Sequence, residues 1–80
     1  MENAMYVKGD YVKVEFRDDD SGEAEWMWVR VNRDDPVNRV VFGTLDSEPV
    51  AMTDLYLGQQ LAVSYDNIRD HRTKTSFNPV

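Results

Sequence analysis

The stretch Glu25-Trp26-Met27-Trp28-Val29-Arg30-Val31 decides the fold. Met27, Val29 and Val31 are apolar at every second position, and Trp26, Trp28 and Arg30 fill the positions between. A strand turns successive side chains to opposite faces, so one trio packs inward and the other points away. A helix would spread both trios around its circumference. The alternation is therefore read as one strand, extending from Glu25 to Arg33.

The same pattern continues on both sides. Tyr11 to Arg17 sets Val12, Val14 and Phe16 on one face and Tyr11, Lys13, Glu15 and Arg17 on the other. Between these two strands, Asp18-Asp19-Asp20-Ser21-Gly22 is a cluster of turn formers. After the second strand, Asp34-Asp35-Pro36-Val37-Asn38 reads as another turn, because Pro36 lacks the N–H a ladder requires. A third strand runs from Arg39 to Leu45, with Gly43 marking a bulge or a barrel corner. Further on, Val50 to Met52 is read as a short strand and Gly58 as a turn residue with positive φ. Leu61, Val63 and Tyr65 face one way along a further strand. Asp66 to Asp70 forms a tight turn or a single helical turn with Ile68 tucked inward, and Thr73 to Phe77 adds a short edge strand.

No segment carries the i, i+3, i+4, i+7 spacing of a long amphipathic helix. The expected fold is all-β, a small antiparallel meander curling into an SH3-like, partly open barrel of four to six strands. Twist and the protection of strand edges both favour that closure. Val12, Val14, Phe16, Met27, Val29, Val31, Val41, Leu45, Leu61, Val63 and Ile68 would fill it. A twisted sheet with one short helix is the alternative. Eighty residues allow one domain spanning 1–80, with 1–9 and 78–80 as frayed ends.

Composition narrows the function. A chain with no cysteine has neither a disulfide nor a thiolate metal site, and His71 is the only imidazole, so no zinc ligand set can be assembled. Asp18-Asp19-Asp20-Ser21-Gly22-Glu23 lacks the ligand order of a calcium loop and reads as a solvated hairpin tip. His71 reads as a surface histidine. No nucleophile stands beside a base in any recognisable motif. The expectation is a protein that is not an enzyme and uses no cofactor. No apolar run reaches the ~20 residues of a membrane span or the shorter run of a signal peptide, so a cytoplasmic location without membrane contact is expected.

The net charge is -6, from 15 acidic and 9 basic residues. Non-specific nucleic-acid binding depends on Lys and Arg neutralising phosphates, so nucleic acid is a disfavoured partner. A basic protein surface is the expected one. Trp26, Trp28 and Arg30, with Glu25, Asp34 and Asp35 nearby, are the candidate partner-binding residues, since Trp and Arg are enriched at interaction hot spots. The opposing reading is that one or both indoles cover a second small core. The leading functional reading is a non-catalytic protein-binding module of the inhibitor or immunity type, including a phage-type DNA mimic. Binding of single-stranded nucleic acid or a small ligand on the Trp26/Trp28 face is the second reading. A structural or regulatory homo-oligomer, such as a homodimer, is the third.

Four segments taken in order carry a resemblance. They are Glu25-Trp26-Met27-Trp28-Val29, Gly43-Thr44-Leu45-Asp46-Ser47-Glu48-Pro49-Val50, Leu57-Gly58 with Leu61-Ala62-Val63, and Ile68-Arg69-Asp70. Over Val12 to Asp70 the chain resembles DUF2314, a family of small bacterial proteins described as a domain of unknown function. Trp26 stands where that family usually has His, and His71 where it often has Trp. The resemblance implies the fold and brings no activity with it.

Overall fold

In the computed structural model, which describes residues 5–73, the alternating segments are strands. They are β1 (Tyr11–Arg17), β2 (Ala24–Asp35), β3 (Val40–Leu45), β4 (Gln60–Ser64) and β5 (Ile68–Arg72), with one 3-10 turn at Tyr65–Asn67. All pairings are antiparallel, in the spatial order β4-β3-β2-β1-β5. β1 to β4 form the expected meander, and β5 returns to the far edge beside β1.

This connection makes the sheet curl. β4 and β5 lie at opposite edges, yet only Tyr65–Asn67 separates them in sequence. Five strands laid flat would be about 19 Å across. A 3-10 turn of three residues rises only about 6 Å. The edges must therefore roll toward each other, and since no ladder joins them the barrel stays partly open.

Two register shifts turn the corners, one between Lys13 and Val14 opposite β5, the other between Val31 and Arg33 opposite β3. At the second, Asn32 is an extra residue in β2. Val31 stands opposite buried Gly43, and Asp34 opposite buried Val41. Cross-strand partners share a face, so the bulge turns Asp34 inward. Uninterrupted alternation would have put it on the side of Trp26 and Trp28.

The core comprises Val12, Val14, Met27, Val29, Val31, Val41, Leu45, Met52, Val63 and Tyr65, with Phe16, Leu61 and Ile68 packed against it from partly buried positions. Met52 is an addition to the expected set, and it belongs to no strand. The short strand expected at Val50 to Met52 does not form, because those backbone N–H groups donate to the Glu25 carboxylate instead of to a ladder. Asp34 and Asp35, read as turn residues, end β2 opposite Val41 and Val40. The chain reverses over residues 36–39, where Arg39 has φ 56°. The edge strand expected over Thr73 to Phe77 falls outside the described residues apart from Thr73, which is not in a strand.

Candidate functional site

Register assembles the outer face of the sheet. Tyr11 pairs with Arg30, Lys13 with Trp28, and Glu15 with Trp26, all on the side away from Val12, Val14, Met27 and Val29. The row through Arg30 crosses every strand, with Arg72, Tyr11, Arg30, Thr44 and Gln60 in register. Trp26 is 55% exposed. Trp28 is half-buried, and the Lys13 ammonium sits 5.4 Å from its ring centroid, an arrangement the ring's quadrupole favours. Asn32 Nδ2 donates to Thr44 Oγ1 (2.9 Å) and Gln60 Oε1 (3.2 Å), and Gln60 Nε2 donates to Thr44 Oγ1 (3.0 Å), fixing the rim.

The charges on this face are unequally engaged. Arg69 and Arg17 both donate to Glu15, at 2.9 and 2.6 Å, and hold its carboxyl below the usual range, Arg69 contributing most. Arg72 pairs with Asp70 at 3.1 Å. Among the described residues, Lys13, Arg30 and Arg33 have no carboxylate within 4 Å. Past the bulge Arg33 and Asp35, opposite Phe42 and Val40, lie on this face too, so six cations meet three carboxylates on one face of a chain whose net charge is -6.

The six candidate residues separate. Trp26, Trp28 and Arg30 share the outer face, whereas the three carboxylates are occupied within the fold. Glu25 accepts from the N–H groups of Val50 (2.8 Å), Ala51 (3.0 Å) and Met52 (3.3 Å), and these bonds, that to Val50 foremost, lower its pKa. Asp35 accepts from Asn38 Nδ2 (2.9 Å) and N (3.3 Å), which closes the 36–39 turn and lowers its pKa. Asp34 accepts the Tyr65 hydroxyl and the N–H groups of Met5 (2.9 Å) and Tyr6 (3.2 Å).

Glu25 gives a direct test. Its pKa is depressed in the folded state, so the clamp contributes fully above the ordinary carboxylate value of about 4.3 and is lost as pH falls through the lower folded value. Glu25→Ala is expected to expose the 46–59 loop to limited proteolysis at neutral pH, while the wild-type loop becomes equally cleavable only in acid. Equal cleavage of both proteins at neutral pH would refute the clamp.

Sequence reading missed a polar cluster at one end of the barrel. Asp10, only 4% exposed, accepts from Val7 N (3.1 Å) and contacts His71 Nε2 (2.9 Å). The Tyr6 ring stacks edge-on against both His71 and Tyr65, at centroid distances of 4.8 and 5.0 Å. His71 is therefore half-buried and partnered rather than a free surface histidine. No local signal announces this, because Asp10 and His71 are 61 residues apart. Within residues 5–9, the N–H groups of Met5 and Tyr6 donate to Asp34, that of Val7 to Asp10 and that of Gly9 to the Val31 carbonyl. A groove of about 570 Å³ lies elsewhere, with Phe16, Met52 and Leu55 as its floor and Asp18, Asp19, Asp20 and Asp54 around it.

Among the described residues no group of three or more Asp, Glu, His or Cys side chains is arranged to hold a metal ion, and no helix is long and apolar enough to cross a membrane. Neither curated proteins nor solved structures provide a match to this chain. A family model does match, over residues 4–78, and the chain belongs to that family, uncharacterized protein conserved in bacteria (DUF2314).

Proposed function

We propose that the chain is a non-catalytic binding module that docks another protein on the outer face of its sheet, acting as an inhibitor or immunity-type protein that covers a partner's functional surface. One observation carries the reading: Trp26 stands exposed on the same outer face as an Arg30 guanidinium that has no carboxylate partner among the described residues. Exposed Trp and Arg supply a large share of interface energy when a partner removes them from water. A DNA-mimicking version of this reading would use Asp18, Asp19, Asp20 and Asp54 instead, supported by their gathering around one groove.

The test is a photo-crosslinking residue placed at position 26 in living bacteria, with the exposed Val37 as control site. Discrete protein adducts from position 26 and none from position 37 are expected. Absence of adducts at 26, or adducts containing nucleic acid, would end the reading. Trp26→Ala should remove binding while changing stability by less than about 0.5 kcal/mol, because an exposed side chain away from caps and clamps contributes little to folding. Urea denaturation of that variant checks the second half of the statement.

A further inference from the structure

We propose that the segment of the partner seated on this face is acidic, an anionic stretch of protein with an apolar residue beside its carboxylates. The inference rests on the protein-docking reading above, and its sign is opposite to what the net charge of -6 suggests. Charge complementarity argues it. Lys13, Arg17, Arg30, Arg33, Arg69 and Arg72 share the face with Glu15, Asp70 and Asp35; Glu15 and Asp70 are already bonded to arginines, and Asp35 to Asn38. Of the remaining acids in β2, Glu25 faces the 50–52 backbone and Asp34 faces Tyr65. A basic segment laid here would find no unengaged carboxylate and would bring like charge against Lys13 and Arg30, a costly juxtaposition.

The face suits a carboxylate in geometry as well as in sign. The Arg30 guanidinium presents a planar donor fork that a carboxylate accepts in two parallel bonds. Trp26, four residues before Arg30 on the same strand face, offers apolar area to another side chain of the same segment. The acids of this chain's own loops remain near enough to matter at low ionic strength. At physiological salt, fields are screened over about 8 Å, so the local cations govern the contact.

Nucleic acid is the other anionic occupant, and it is disfavoured by number. Affinity for a phosphate backbone grows with the count of phosphates neutralised, and strong binders make about 6–10 such contacts. Here Lys13, Arg30 and Arg33 are the face's cations without a carboxylate within 4 Å among the described residues, and Lys13 already lies over Trp28 and Arg33 over Phe42. Three cations suffice for the few carboxylates of a protein segment whose apolar residue adds the rest.

Tryptophan fluorescence of the full chain, titrated with defined probes, tests the inference. The probes are an extended peptide of alternating Leu and Glu, its Leu and Lys counterpart, and an oligothymidylate. The Glu peptide is expected to shift the emission saturably and to bind about tenfold more tightly than the Lys peptide, the size of one good charge-pair interaction. Lys13→Glu/Arg30→Glu should reverse that preference, with circular dichroism confirming that the variant folds. Arg30→Ala should lose the preference without reversing it, and Asp18→Asn/Asp19→Asn/Asp20→Asn should leave it intact. Equal or tighter binding of the Lys peptide, or no emission shift with either peptide, overturns the inference. Preferential binding of oligothymidylate overturns it together with the protein reading. Self-association in sedimentation that the triple Asn variant abolishes would assign the face to a second copy and overturns it too. Crosslinked protein at position 26 whose yield is indifferent to Arg30→Glu sinks the acidic segment and leaves protein docking standing.

Discussion

Gly43→Ala is expected to destabilise the domain by about 3–5 kcal/mol, enough to leave much of the population unfolded at room temperature if the domain is at the lower end of the usual range. A Cβ at this position would lie 2.5 Å from Val29 Cγ1, 2.6 Å from the Arg30 carbonyl oxygen and 3.3 Å from the Arg30 carbonyl carbon. Neither neighbour can retreat. Val29 is fully buried, and Arg30 is paired with Tyr11 on one side and Thr44 on the other. Overpacking by one carbon commonly costs about 1–3 kcal/mol when side chains can shift, and a backbone obstacle pushes the cost higher. Gly58→Ala is the control. Its φ is 90° with nothing within 4 Å of the added carbon, so the cost there is conformational, about 1–2 kcal/mol. Urea denaturation of the two variants separates the effects. A Gly43→Ala cost no larger than that of Gly58→Ala would show that β2 and β3 approach less closely than described.

Asp34→Ala should cost about 3 kcal/mol, for a different reason: it strands donors inside the fold. The Asp34 carboxylate accepts the hydroxyl of Tyr65, which is 7% exposed, and the N–H groups of Met5 and Tyr6. Tyr65→Phe removes the hydroxyl together with its need for a partner, so its cost should be nearer 1 kcal/mol. In the double variant the two costs should fall short of their sum, because the stranded hydroxyl is gone. Additive costs would mean that Asp34 and Tyr65 do not act on each other.

The same pair sets an alkaline limit. Burial, and then the bond to Asp34, push the Tyr65 pKa up. A phenol whose folded pKa is raised stabilises the fold fully below its unfolded value of about 10, and that contribution is lost as pH rises from there through the folded value. Wild-type stability should therefore decline above about pH 10, and the Tyr65→Phe variant should decline less steeply. Identical alkaline profiles would remove Tyr65 as the cause.

What could be read from the sequence was what repeats every two residues. Val12, Val14, Met27, Val29 and Val31 are interior because alternation is local, and Trp26, Trp28 and Arg30 share the reverse face for the same reason. Gly43 was legible as a corner, since a residue without a side chain inside a strand signals a close approach. Asp34 was not, because a single extra residue at Asn32 inverts every position after it and nothing local distinguishes Asn32 from its neighbours. Val50 to Met52 looked like a strand because its apolar residues suit one, while the acceptor that claims its backbone lies 25 to 27 residues earlier. The cationic character of the Trp26 face depends on register between β1, β2 and β5. It pairs Lys13 with Asp70 and brings Arg69 to Glu15, 54 residues away. Total charge averages over that arrangement and hides it.

β2 serves two hairpins at once. Residues Ala24 to Arg30 pair with β1 and residues Val29 to Asp35 with β3, so positions 29 and 30 belong to both ladders. Opening either hairpin past that point strips the final rungs from the other, which makes the molecule come apart as one cooperative unit. Amide protons at the middle of β2 should then exchange with solvent only through complete unfolding, while those near Asp20 and Val37 exchange by fraying of the tips. Damage anywhere along this strand shortens the lifetime of the whole domain, and no half of it survives as a folded remnant.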